Sequence, residues 1–198
     1  MELLNEFDCS GAAVSSPLDP YSKLHESDSP PMPNPTLYRH LVGKLNYLAH
    51  TRPDLSFAVL TLSQYMQHPQ NSHFQAALRV LRYLRSDLGQ GIFLPLHSSF
   101  ELLAFCGANW ASCKTTRRSI RGYFITLGGS PISWKSKKQA SVSLSFAESE
   151  YRSMRRVTAE ITWLVRLLQD LSVSPTLPIT VNSDSQAAIN IAENPIFH

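Results

Sequence analysis

The chain has 198 residues, 43% hydrophobic and 17% charged, enough to bury a core and unlike the composition of a disordered polymer. No apolar run approaches the roughly 20 residues of a membrane span, and Met1-Glu2-Leu3-Leu4-Asn5-Glu6 lacks the basic start and apolar stretch of a secretory signal. Cys9, Cys106 and Cys113 are an odd, scattered set without a C-x-x-C pair, which argues against a disulfide framework or zinc site and predicts an intracellular chain, cytoplasmic or nuclear.

The net charge of +3 hides a strong asymmetry. Residues 1–35 hold one lysine, Lys23, against six acids, whereas residues 36–198 hold 17 basic and nine acidic side chains. The densest field runs from Lys114 to Arg156, with ten basic residues and only Glu148 and Glu150 as acids. Such a field suits a polyanion, through phosphate contacts and counterion release, and equally suits an ordinary solvated surface.

In chain order, a short apolar piece around Leu3, Leu4 and Phe7 precedes a stretch holding six of the 13 prolines. Within it, Ser27-Asp28-Ser29-Pro30-Pro31-Met32-Pro33-Asn34-Pro35 reads as an extended linker. From Thr36 to Ser86 the pattern is helical. Leu37, Leu41, Leu45 and Leu48 mark a first helix, and Thr51-Arg52-Pro53-Asp54 restarts a second that continues through Leu55, Ala58, Val59, Leu62 and Met66. Phe74, Ala77, Leu78, Leu81 and Leu84 mark a third, with Arg79, Arg82 and Arg85 along another face, available to a duplex backbone or to solvent.

After Gly89-Gln90-Gly91 the pattern shortens to β-like runs at Phe100–Phe105, Tyr123–Leu127 and Ile132–Trp134, the last two joined by a Gly128-Gly129-Ser130 hairpin turn. A helix is predicted from Ser145, then a further amphipathic one carrying Ile161, Leu164, Leu167, Leu168 and Leu171. The strand Ile179-Thr180-Val181 and a helix from Ser185 to Ala192 follow. The order β-β-β-α-α-β-α describes an α/β unit, a mixed sheet with helices packed on it.

Three places invite chemistry. Ser145-x-x-Glu148 is a capping box, which gives Glu148 a structural duty and leaves Glu150 free; by itself Glu150 would be a surface helix glutamate. Asp184 lies between a strand and a helix, where it could cap the helix, a task Ser183 or Ser185 could share. The stretch Leu103-Ala104-Phe105-Cys106-Gly107-Ala108-Asn109-Trp110-Ala111-Ser112-Cys113 ends a strand. Histidines 25, 40, 50, 68, 73, 97 and 198 have no useful helical spacing beside an acid, no phosphate-binding G-x-x-x-x-G-K-[ST] loop exists, and Cys106 reads as a buried strand cysteine.

These segments resemble the reverse transcriptase and ribonuclease H region of copia-type retrotransposon Pol polyproteins. Ser16-Pro17-Leu18-Asp19-Pro20 is similar to S-x-P-M-D-P. Tyr38-Arg39-His40-Leu41-Val42-Gly43-Lys44-Leu45-Asn46-Tyr47-Leu48 is similar to Y-R-x-L-V-G-x-L-x-Y-L, Thr51-Arg52-Pro53-Asp54-Leu55 to T-R-P-D-I, and Arg79-Val80-Leu81-Arg82-Tyr83-Leu84 to R-V-L-R-Y-L. Arg117-Arg118-Ser119-Ile120-Arg121-Gly122-Tyr123 is similar to R-K-S-T-S-G-Y, and Ser133-Trp134-Lys135-Ser136-Lys137-Lys138-Gln139 to S-W-x-S-K-K-Q. Glu150 matches the second glutamate of T-E-A-E-Y, and Asp184 the aspartate of Y-C-D-N-Q-S-A. The strand stretch corresponds to Y-S-D-A-D-W-A-G-C, so Gly107 and Asn109 stand where the family has aspartates. The polymerase's own Y-V-D-D motif is not in the chain.

The resemblance implies a ribonuclease H-like mixed sheet with flanking helices, preceded by a helical thumb or connection segment. It divides the chain into the end of a reverse transcriptase region and linker (1–35), the helical region (36–98) and a ribonuclease H-like domain (99–198). The chain stops at Asn194-Pro195-Ile196-Phe197-His198, before the family's K-H-I-D stretch, so the last domain is expected to be truncated. The family activity is magnesium-dependent cleavage of RNA in RNA–DNA hybrids, with Glu150 and Asp184 as catalytic metal ligands. Arg117, Arg118, Arg121, Lys135, Lys137 and Lys138 would contact nucleic acid, with Tyr123 and Trp134 mostly core. The expected partners are an RNA–DNA hybrid or other nucleic acid and the rest of a reverse transcriptase, not a membrane. Without the two aspartates, cleavage is expected to be lost or severely impaired. The alternatives are a non-enzymatic nucleic-acid-binding module and an element remnant with no selected role.

Overall fold

A computed structural model describes residues 2–7, 11–19, 21, 24–25, 29–96 and 99–194. Cys9, Pro20, Lys23, Ser27, Asp28, His97, the stretch 195–197 and His198, all named above, lie outside the described residues. The chain forms two compact units, Met1–Gly91 and Ile92–His198.

The first unit is helical: α1 (Glu2–Glu6), α2 (Pro35–Leu48), a 3-10 turn (Pro53–Leu55), α3 (Ser56–Ser63) and α4 (Asn71–Ser86). Asn34 starts α2 by accepting from the Thr36 and Leu37 amides, with Pro35 at the first helical position, where no amide is missed. Tyr38, Leu41, Leu45, Leu55, Leu62, Val80 and Leu81 close a core into which Phe7 and Met32 also pack. Met32, inside the proline-rich stretch, is thus buried, and its amide donates to Pro69 O at 3.0 Å.

The arginine stripe of α4 faces the chain's own N-terminal segment. Arg79 Nη2 donates to Ser16 Oγ at 3.2 Å, Arg85 donates to Gly11 O, and Arg82 Nη1 and Cδ lie beside Gly11. The T-R-P-D motif is structural as well: Arg52, 4% exposed, grips Asp54 through Nε and Nη2 at 3.0 and 2.7 Å and reaches Asp87 O and Gln90 Oε1.

The second unit is α/β. Strands β1 (Leu102–Asn109), β2 (Ile120–Leu127), β3 (Ser130–Lys138) and β4 (Thr180–Asn182) form one mixed sheet in the order β3-β2-β1-β4. β1 to β3 are antiparallel neighbours, and β4 pairs parallel to β1 from Leu103↔Thr180 to Phe105↔Asn182. The hairpin turns on Gly128 (φ 56°) and Gly129 (φ 81°), two left-handed residues of the kind a twisted two-residue hairpin requires.

The crossover to β4 contains α5 (Phe146–Asp170), one helix of 25 residues where the sequence predicts two. No proline or glycine interrupts 146–170, so nothing stops the helix between its two apolar faces. Val157, Ile161, Leu164 and Leu168 pack on Leu102, Ala104 and Ile125 of the sheet. A short helix, α6 (Gln186–Glu193), follows β4. This mixed sheet with flanking helices is compatible with a ribonuclease H-like fold. Among the described residues, no helix is long and apolar enough to cross a membrane.

Candidate functional site

β1 runs four residues beyond its predicted end because its ladder with β2 continues to Asn109↔Ile120. Its last residues meet the start of α5 closely. Ser153 Oγ donates to Gly107 O at 2.9 Å and to Gly122 O at 3.2 Å, tying the helix to two strands at paired glycines.

The N-terminus of α5 is set by Ser145, whose Oγ accepts from the Glu148 amide at 3.1 Å. Glu148 Oε2 accepts from the Leu144 amide at 2.7 Å and Oε1 pairs with Arg152 at 2.6 Å, so this acid is occupied with helix structure. Glu150 is not the surface glutamate its helix position alone suggests. It is 1% exposed, and its Oε1 accepts from the Ala108 amide at 2.8 Å. Oε2 is buried with no hydrogen-bond partner. Burial raises the Glu150 carboxyl above its ordinary range, the Ala108 hydrogen bond opposes this, and the charge of Asp184 adds to it.

Asp184 comes from the other side, at the end of β4. Ser185, not Asp184, caps α6, its Oγ accepting from Ala188 N at 3.3 Å, which leaves the exposed Asp184 carboxylate without that duty. Asp184 and Glu150 both act on the Cys106 thiol, which burial first of all, then these two charges, push up to about 11. Cys106 is therefore a poor nucleophile at neutral pH.

Gly107 faces Glu150. A Cβ built on Gly107 would meet only Glu150 Oε2, at 4.0 Å, so the orphan oxygen looks at the position that bears no side chain. Among the described residues, no three His, Cys, Asp or Glu side chains come together in a way that could hold a metal ion. Two carboxylates do not fit a two-magnesium centre, which needs several carboxylates around two closely spaced hard cations.

The six basic residues do not share one face. Arg121 and Lys137 are cross-strand partners, and Lys135, two residues away on the edge strand β3, lies on the same face. Ser133, two residues before Lys135 on β3, donates to Glu160 of α5 at 2.9 Å, which places this face on the α5 side, where burial, then the nearby Arg156, lowers the Arg121 pKa. Lys138 is on the opposite face, and its Nζ lies 3.0 Å from Cys113 Sγ. Burial raises that thiol, but hydrogen bonds from Lys138 and Thr116 and the lysine charge outweigh it and bring Cys113 down to about 7. Arg117 and Arg118 are exposed in the turn closed by Arg117 N to Cys113 O and Cys113 N to Arg118 O. Tyr123 packs partly buried against the sheet core, and Trp134 is half-buried.

Sequence reasoning missed two groups here. Ser149 and Ser153, buried one turn apart on α5, let the helix approach the strands; their i, i+4 spacing on the Glu150 side is the signal available in sequence. It also missed Trp110, 44% exposed with its indole N–H bound to Ser143 O, for which no local pattern gives a cue.

No family model matches the chain, and no solved structure does. The chain is similar to the retrovirus-related Pol polyprotein from transposon RE1 of Arabidopsis thaliana, at 42% identity over 185 residues, 93% of this chain but 13% of that polyprotein. It is similar to the corresponding polyprotein from transposon TNT 1-94 of Nicotiana tabacum, at 36% identity over 162 residues, 81% of this chain and 12% of that protein. It is also 42% identical over 128 residues, 64% of this chain, to secreted RxLR effector protein 161 of Plasmopara viticola, 90% of which is covered. The chain thus spans only about an eighth of the polyproteins that it matches along nearly its whole length. It belongs to the family of copia-type retrotransposon Pol polyproteins, as a stretch of one.

Proposed function

We propose that this stretch is a nucleic-acid-binding part of the reverse transcriptase and ribonuclease H region, whose hybrid-cleaving centre lacks the charge it needs. The observation that carries the reading is the Glu150 Oε2 atom, buried, unpartnered and facing Gly107. A carboxylate held in that state is costly unless a cation or proton joins it, which is what a metal ligand stripped of its neighbour leaves behind.

In the family reaction, magnesium supplies the charge that activates water and steadies the leaving oxygen of the RNA strand. Here Glu150 and Asp184 are the two candidate ligands. Gly107 offers no donor, and Asn109 a neutral amide where the family has an acid. The chain's own contribution is binding: Arg121, Lys135 and Lys137 on one face of the sheet and Arg117, Arg118 and Lys138 at its end are the basic groups for phosphates of an RNA–DNA hybrid.

The test is cleavage of a labelled RNA–DNA hybrid in magnesium by the chain, by G107D/N109D, and by G107D/N109D/E150Q. The natural chain is expected to be silent, the double variant to cut, and the triple variant to fall silent again. An added Cβ at 107 meets no backbone, so the first atom of the new side chain has room. Cutting by the natural chain that E150Q abolishes would overturn the inactivity; cutting by the repaired chain that survives E150Q would overturn the ligand assignment.

A further inference from the structure

Unit 2 holds one aromatic ring firmly and leaves it open. Trp110 directly follows β1, is 44% exposed, and donates through Nε1 to Ser143 O at 3.0 Å. The frame behind it is buried and polar. Ser143, 3% exposed, donates to Gln139 Oε1 at 3.0 Å; Gln139, also 3% exposed, donates through Nε2 to Ser149 O at 2.9 Å and through its amide to Ser119 O at 2.8 Å. Ser119 Oγ in turn accepts from the Ala111 amide at 3.1 Å. The backbone just after the ring and the carbonyl at its edge are thus fixed by one connected network, the kind of support that pre-organises a presented side chain.

Core packing does not account for this position, because the ring stays half in water. Its neighbours along the chain that holds it are open too: Val142 is 47% exposed, Leu144 90% and Phe146 48%. Arg117 and Arg118 are exposed in the turn that follows the ring. Between residues 114 and 156 both acids are engaged, Glu148 by its cap and its pair with Arg152 and Glu150 by burial and the Ala108 amide. A flat apolar ring with exposed arginines in the turn that follows it suits a nucleobase and its phosphates. A side chain stacks only on a base whose face is free, and the interior bases of a blunt duplex offer none.

We propose that Trp110 is a stacking platform for an unpaired base of single-stranded RNA or DNA, with Val142, Leu144 and Phe146 as its apolar border and Arg117 and Arg118 toward the phosphates. The proposal rests on the nucleic-acid reading above and names the form of nucleic acid that the mouth of the depleted site takes.

The test is fluorescence anisotropy at low salt with the full chain, using a labelled single strand of about twelve nucleotides and a blunt RNA–DNA hybrid of the same length. W110A is expected to weaken single-strand binding about tenfold and leave hybrid binding unchanged, while W110F, which keeps a stacking ring, loses much less. L144S is the second variant, because a side chain 90% exposed leaves the core intact; it is expected to weaken single-strand binding several-fold even if W110A fails to fold. If both nucleic acids bind and the variants shift neither, or shift both alike, the platform is wrong and the nucleic-acid reading stands. If the natural chain binds neither, both readings fall.

Discussion

At the residue scale, Glu150 is the most informative side chain, because its surroundings do not satisfy it. Its Oε1 has one amide partner and its Oε2 none, and burial together with Asp184 disfavours its charge. The consequence for stability has a definite sign. Below the ordinary glutamate value of 4.5 the group is protonated in both folded and unfolded chains, and its burial costs no charge. As pH rises through the elevated folded value, the folded chain must hold a buried anion that the unfolded chain holds in water, and stability falls. E150Q keeps an oxygen for the Ala108 amide and removes that charge, so it should melt higher than the natural chain at pH 7.5. The gap should close as pH is lowered through about 4.5. Paired melting curves at pH 4 and 7.5 decide it: a gap that does not change with pH would mean that Glu150 burial is not what sets the difference.

At the element scale, motifs that a sequence comparison would offer as functional turn out to hold helices together. Arg52 and Asp54 of the T-R-P-D motif join the turn before α3 to the residues after α4, with Tyr83 stacked under the guanidinium at 5.7 Å. Their hydrogen bond holds Asp54 below its usual range against the effect of burial. Removing one partner leaves a buried charge uncompensated, so Asp54→Asn should cost about 3 kcal/mol, read as a lower urea midpoint. A loss near zero would mean that Gln90 and the Asp87 carbonyl satisfy Arg52 without it. The arginine stripe of α4 makes the same point. Its periodicity was open in sequence between a duplex and water, whereas Arg79 and Arg85 are turned to Ser16 and Gly11 of the same chain.

At the scale of the whole molecule, two compact units divide at Gly91, and the residues on either side of that point carry little burial. Leu88 is 53% exposed, Phe93 79%, Leu94 68% and Leu96 105%. Exposed apolar residues in a segment without helix or strand are where a protease finds backbone to bind. Brief chymotrypsin treatment should therefore cut first between Leu88 and Phe100 and yield two resistant halves. First cuts inside α4 or α5 would contradict the division.

The sequence by itself determined the local and the compositional. The helical repeats of residues 36–86, the β-runs after Gly91, the cap at Ser145, the family, and the absence of acids at Gly107 and Asn109 were all legible, because each depends on residue type or on spacing within a few positions. Tertiary structure decided what depends on partners far apart in the chain. Glu150 meets the amide of Ala108 across 42 residues, Arg79 meets Ser16 across 63, and Trp110 meets Ser143 across 33. Those contacts turned an apparent surface glutamate inward and turned onto its own chain an arginine stripe that the sequence left open between a duplex and water, and they fixed an indole half in water. Periodicity tells which face of a helix is apolar; it does not tell which polar atom the opposing strand will leave without a partner.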